Sequence, residues 1–281
     1  MAPRLPDFVI IGAQKAGTTW LGYRLLEQQS VFLPRPLETH FFDRAENYAK
    51  GLDWYASRFT GAPAGALIGE KTPDYFWTLR PHGRGPNDIP ARMRAALPNA
   101  KLIVVLRDPV KRAISALNHH IRARRMSPFV DPDAVLTEAL DPQKDHFGLV
   151  GRGHYFTHLQ RFLSVYSQED IHVVLFEDEI IRAPRETVTG VMTFLGRNGD
   201  VVPQPPSRPE NSRINSRIGL VLNYYAPKLS FMISAVDRLL PSAPAVTPSA
   251  SCQTRLREHF EPHNQALFKF LGRSVATWAQ P

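Results

Sequence analysis

Residues 12–19 read Gly-Ala-Gln-Lys-Ala-Gly-Thr-Thr, a composition suited to holding an anion. Glycines at Gly12 and Gly17 let the backbone turn sharply, so that successive N–H groups and a following helix N-terminus face one point. Lys15 puts a positive charge inside the turn, and Thr18 and Thr19 add hydroxyl donors. The glycine spacing is that of the triphosphatase pattern G-x-x-x-x-G-K-[ST], but Thr18 stands where that pattern has its lysine. A second anion site is suggested at Arg107, followed by Ser115. An arginine fork takes a phosphate bidentately. Mg²⁺-dependent NTPases commonly place an aspartate at the end of such a strand to help hold the metal. Here the strand KLIVVL ends in Arg107, and Asp108 turns away into a proline turn. The pair fits a metal-free nucleotide with one phosphate near Lys15 and another near Arg107. The plainer alternatives are a structural turn capped by threonine and a salt-bridged Arg107.

These residues need a scaffold. Asp7 to Gly12 is a β-branched run ending in glycine, the pattern of a buried parallel strand. Thr18 to Gln29 then has helical spacing of apolar residues. A second strand–turn–helix unit runs through Lys101–Leu106 and Val110–Arg124. A third strand is expected at Ile171–Phe176, with a helix from about Pro184 to Leu195. Strands alternating with helices predict an α/β, P-loop-like three-layer fold with a central parallel sheet flanked by helices. Residues 78–90 read as a surface loop before a helix at Ala91–Ala96. Residues 198–213 are broken by prolines, and residues 241–250 look like a flexible loop. A last helix is predicted over Cys252–Leu271. Residues 1–281 are read as a single domain.

The 281 residues carry a formal charge of +8, which favours a polyanionic partner. No RNA-binding aromatic signature, zinc spacing or basic heptad helix points to nucleic acid. The apolar fraction of 43% is that of a globular chain rather than a disordered one. One cysteine, Cys252, excludes an intramolecular disulfide. Ile218–Leu240 is apolar but holds Pro227, Lys228 and Asp237, so no integral membrane span is expected. His119-His120 reads as a helix-surface feature, and no metal site is expected. A soluble, cytoplasmic protein is the expectation.

The segment GAQKAGTTWL resembles the 5′-phosphosulfate loop of sulfotransferases that use PAPS (3′-phosphoadenosine-5′-phosphosulfate), and LRDPVKRAISA resembles their 3′-phosphate motif. Glu38-Thr39-His40-Phe41-Phe42-Asp43 is similar to the E-x-H-F-F-D segment of the heparan sulfate 3-O-/N-sulfotransferase branch. Glu70–Phe76 resembles its E-K-[ST]-P-x-Y-F segment. Gly153-His154-Tyr155 with His158-Leu159 is similar to its G-x-Y-x-x-H-L element, and Pro262-His263-Asn264, Gly272 and Trp278 to its closing helix. These blocks span nearly the whole chain in order. The branch's Golgi members have a membrane anchor and a disulfide loop; neither is expected here, and a bacterial soluble member is the expectation. Where they have a G-K-[ST]-K-G-R-like stretch, this chain has Ser212–Arg217.

The resemblance implies transfer of a sulfuryl group from PAPS, leaving PAP, onto an acceptor hydroxyl, with a carbohydrate leading. Donor contacts are expected from Gln14, Lys15, Ala16, Gly17, Thr18, Thr19, Arg107, Ser115 and Tyr155, and from Arg213 or Arg217. Glu38 is implied as general base, with His40 competing because its ordinary pKa lies near neutrality. Lys15 would offset charge on the leaving phosphate. Lys71 would contact the sulfuryl group or acceptor, and Asp43 would orient His40 or the acceptor. Phe41, Phe42, Tyr75, Phe76 and Trp77 read mainly as core or cleft wall. Other readings are a lipid, polyketide or other small alcohol as acceptor, a Mg·ATP-dependent small-molecule kinase, and a non-catalytic nucleotide- or anionic-glycan-binding protein.

Overall fold

A computed structural model of the chain describes residues 4–81, 85–197, 216–225, 241 and 243–278. Five parallel strands form one sheet: β1 (Phe8–Gly12), β2 (Val31–Phe32), β3 (Leu67–Lys71), β4 (Lys101–Leu106) and β5 (Ile171–Leu175), in the order β2-β3-β1-β4-β5. Because all strands run the same way, their C-terminal ends share one edge. Register pairs Ile10 with Lys71 and with Ile103, so the turn after Gly12 lies between the end of β3 and Arg107 after β4. In open α/β sheets this carboxyl edge is where ligands bind.

Helices follow the strands: α1 (Thr18–Leu26), α2 (Ala45–Tyr48), α3 (Gly51–Ser57), α4 (Ile89–Ala96), α5 (Pro109–Arg122), α6 (Pro132–Glu138), α7 (Tyr155–Leu163), α8 (Pro184–Phe194), α9 (Arg217–Tyr225) and α10 (Ala250–Leu271). In α1 the buried residues are Thr18, Leu21, Gly22 and Leu25, the spacing of a single apolar face. In α7 they are Tyr155, His158, Leu159 and Phe162. Asp108 caps α5 by accepting from the N–H groups of Val110 (2.8 Å) and Lys111 (3.1 Å), with Pro109 at the first helical position. That is the turn away from the strand end expected of Asp108.

The sheet core is wholly buried along β1 and through Leu102–Leu106. Phe41, Phe42, Tyr75, Phe76 and Trp77 are buried too, which bears out their reading as core and wall. Three expectations are corrected. β3 and the two-residue β2 join the sheet, and a π-helical stretch at Phe176–Ile181 follows β5. The segment before α10 is tethered: Asn118 exchanges two 2.8 Å hydrogen bonds with Val246, and Ser249 N–H donates to Asp133 at 2.8 Å. His120 is buried against the Phe147 ring rather than on a helix surface, because α5 buries residues around most of its circumference. Among the described residues no helix is long and apolar enough to cross a membrane.

Candidate active site

The turn between β1 and α1 is shaped by its two glycines. A side chain at Gly12 would put its Cβ 2.3 Å from Phe76 Cβ, and one at Gly17, where φ is 100°, would meet the Phe176 ring at 2.7 Å. Gly17 is also the N-cap of α1, so no side chain caps the helix N-terminus and its first N–H groups can serve an anion. Lys15 has a positive φ of 66°. Burial lowers its pKa, and Arg122, Arg107 and Lys71 push it the same way, while Glu38 opposes them. Cations crowded like this are relieved by a bound polyanion.

Arg107 reaches this turn: its Nη1 donates to the Lys15 carbonyl at 3.2 Å and its guanidinium lies 4.9 Å from the Phe176 ring centroid. Its Nε is buried without a partner, a donor that a phosphate oxygen would satisfy. Tyr155 donates its hydroxyl to the Arg107 carbonyl at 2.7 Å, so it braces the arginine from behind. Glu177 accepts from Asp108 N–H at 3.1 Å and from Trp278 Nε1 at 2.9 Å, fixing the same turn on the other side. Gln14, Thr19 and Ser115 are half-buried, and Ala16 and Thr18 are buried. Arg217 opens α9 with its side chain exposed, and no described contact joins it to Lys15 or Arg107. Arg213 lies outside the described residues.

The acidic half of the site gathers around His40. Lys71 Nζ donates to Glu38 Oε1 at 2.5 Å and to Thr19 Oγ1 at 3.2 Å, linking the acid to the start of α1. Glu38 Oε2 lies 3.3 Å from His40 Nε2, and His40 Nδ1 lies 3.0 Å from Asp43 Oδ2. Asp74 Oδ2 stands 4.0 Å from the same Nδ1. Burial disfavours the imidazolium, but the hydrogen bonds it donates to Asp43 and Glu38 and the charges of Asp43 and Asp74 raise the His40 pKa to about 9. Burial also works against a charged Glu38, yet His40 and Lys71 outweigh it and hold the pKa below the ordinary value. His40 is therefore protonated at neutral pH and Glu38 is not.

Several contributors escaped sequence reasoning. Asp74 is held by Arg152, which itself lies 4.2 Å from the Trp77 ring centroid, and Arg80 stands 3.9 Å from Asp43. Glu70 is wholly buried and accepts from the hydroxyls of Thr39 (2.5 Å), Thr72 and Tyr75 (both 2.7 Å) and Tyr55. Tyr75 in turn accepts from Phe41 N–H at 2.9 Å, and Thr72 from His40 N–H at 3.4 Å. Glu70 thus anchors the backbone that presents Glu38 and His40. The one local signal for this shell was the Glu70–Phe76 segment itself.

Residues 5–205 match the family model described as the sulfotransferase domain. Mouse heparan sulfate glucosamine 3-O-sulfotransferase 5 is 28% identical over a 283-residue alignment that covers 98% of this chain and 75% of that protein. Human heparan sulfate glucosamine 3-O-sulfotransferase 3B1 is 34% identical over 200 residues, covering 69% of this chain and 46% of that one. The crystal structure of a sulfotransferase from Alicyclobacillus acidocaldarius superposes with a TM-score of 0.71 at 23% identity, over 99% of this chain and 100% of that one. A family match over most of the length, on a fold that sets the glycine-flanked β1–α1 turn beside an acid–histidine cluster, shows that the chain belongs to the PAPS-dependent sulfotransferases.

Proposed function

We propose that this protein transfers the sulfuryl group of PAPS to a hydroxyl of a carbohydrate acceptor, with Glu38 as general base, and that residues 1–281 act as one domain. The observation that carries this reading is the division of charge within one cluster. His40 is committed to Asp43 as an imidazolium, so it has no lone pair for a proton. Glu38 keeps its carboxylate, and its side chain is 39% exposed where Lys71 and Asp43 are only 3% and 5% exposed. It is the member of the cluster that an incoming hydroxyl can reach.

PAPS supplies a sulfuryl group on its 5′-phosphate and a separate 3′-phosphate. Lys15, Thr18 and the uncapped start of α1 suit the first, and the unpartnered Arg107 Nε with Ser115 suits the second. Glu38 takes the proton of the acceptor hydroxyl as its oxygen bonds to sulfur and the sulfur–oxygen bond to the 5′-phosphate breaks. Lys15 offsets the charge left on that phosphate. Lys71 holds Glu38 against Thr19 and so aligns the base with the phosphate turn. The exposed Arg122, Arg124 and Arg125 at the end of α5 favour an acidic glycan, and the heparan sulfate relatives support the same class.

Calorimetry with PAP in the absence of metal tests the donor assignment. Wild type should bind PAP in preference to Mg·ATP, and Arg107→Ala should bind it roughly 10–100-fold more weakly, the worth of one charge-assisted contact. No PAP binding, or preference for Mg·ATP, would overturn the reading.

A further inference from the structure

We propose that His154, His259 and His263 form a binding site for one divalent transition-metal ion of the zinc class. His154 immediately precedes α7, while His259 and His263 stand four residues apart on one face of α10. Their candidate donor nitrogens all lie within 4.8 Å of one another, and all three residues are half-buried. His154 Nε2 is 2.9 Å from His259 Nε2, and the His154 and His263 rings stack with centroids 4.2 Å apart.

Two Nε2 atoms at hydrogen-bond distance point their lone pairs, or one lone pair and one proton, at a common spot. In a tetrahedral imidazole site with metal–nitrogen bonds of ~2.0–2.1 Å, donor nitrogens stand about 3.3 Å apart, so a small ring rotation opens the space for an ion. The pair on α10 has the i, i+4 spacing of helical zinc-binding histidines. A neutral imidazole is the form that ligates such an ion.

Donor chemistry sets the ion class. Three imidazoles without carboxylate or thiolate select Zn²⁺, Co²⁺, Ni²⁺ or Cu²⁺ over Mg²⁺ and Ca²⁺, and leave a fourth position for water. A second histidine-bearing cluster among the described residues, His40 with Asp43 and Asp74, is faced by Arg80 and Arg152, whose charges oppose a cation there. His154 occupies the variable position of the Gly-x-Tyr segment, so the family resemblance does not require a histidine at that point. These three histidines meet only because α10 packs against α7, so no spacing in the sequence groups them. A bound ion would tie α10 to the start of α7, next to the Tyr155 that braces Arg107.

Cobalt titration of the metal-stripped protein tests the site. One Co²⁺ per chain should bind with the visible absorption bands of four-coordinate cobalt, be displaced by Zn²⁺ and be unaffected by excess Mg²⁺. His259→Ala and His263→Ala should each lose more affinity than the ~10–100-fold typical of removing an outer-shell partner. In unsubstituted protein, Zn²⁺ should protect His154, His259 and His263 from diethyl pyrocarbonate, read by peptide mass spectrometry, while exposed His146 stays reactive. No saturable cobalt binding, affinity unchanged in folded variants, or protection no greater than at His146 would overturn the proposal.

Discussion

Lys71 Nζ lies 2.5 Å from Glu38 Oε1, and the lysine is buried while the glutamate is the more open partner. The ammonium is also bonded to Thr19, at the start of the helix that follows the glycine-flanked turn. One buried cation therefore holds Glu38 in position and, with His40, keeps it charged. Replacing it with an uncharged chain of similar size should weaken both effects. Burial then pushes the Glu38 pKa up with less to oppose it, since the Lys71 charge and hydrogen bond that lower it are gone. The acid limb of the kcat/KM profile should move to higher pH in Lys71→Met, and an unmoved limb would separate Lys71 from the base.

His40 should leave a signature in stability. Its folded pKa of about 9 lies above the ordinary 6.5, so its contribution is fully present below about pH 6.5 and is lost as pH rises through 9. The melting temperature of wild type should exceed that of His40→Gln most near pH 6, and the gap should shrink towards pH 9.5. A gap that widens with pH would contradict the imidazolium assignment.

Glu70→Ala removes the acceptor of four buried hydroxyls at once. Leaving such donors unsatisfied should cost about 2–4 kcal/mol in urea unfolding. Activity should fall further than stability alone explains, because the backbone bearing Glu38 and His40 hangs from those hydroxyls. Glu70→Gln keeps an acceptor oxygen and should be milder on both counts.

Gly17→Ala places a Cβ 2.7 Å from the Phe176 ring at a φ of 100°. The strain should destabilise the protein by about 1–3 kcal/mol. PAP affinity should drop as well, since Phe176 also carries the Arg107 guanidinium. Calorimetry and thermal melts on the same variant check both effects.

The sequence made β1, β4 and β5 legible because their β-branched runs are long enough to read without tertiary context. It hid β3, whose last residues Glu70 and Lys71 are charged yet almost wholly buried. Nothing local announces that Thr39, Tyr55, Thr72 and Tyr75 surround one and that Glu38 pairs with the other. The phosphate turn and Arg107 were legible as chemistry, and Glu38, His40 and Asp43 came together as the resemblance implied. Tyr155, expected as a donor contact, gives its hydroxyl to the Arg107 carbonyl, a partner that only the fold geometry reveals. Asp74 and Arg152 stayed invisible because a pair so far apart in the chain has no spacing to read.

The most direct test of the central claim is sulfuryl transfer from radiolabelled PAPS to a panel of acidic glycans by wild type and Glu38→Gln, with PAP affinity measured on both. Wild type should transfer label, and Glu38→Gln should lose ~10²–10⁴-fold in kcat with PAP affinity retained, as expected for loss of a general base. Turnover in Glu38→Gln close to that of wild type would contradict the account.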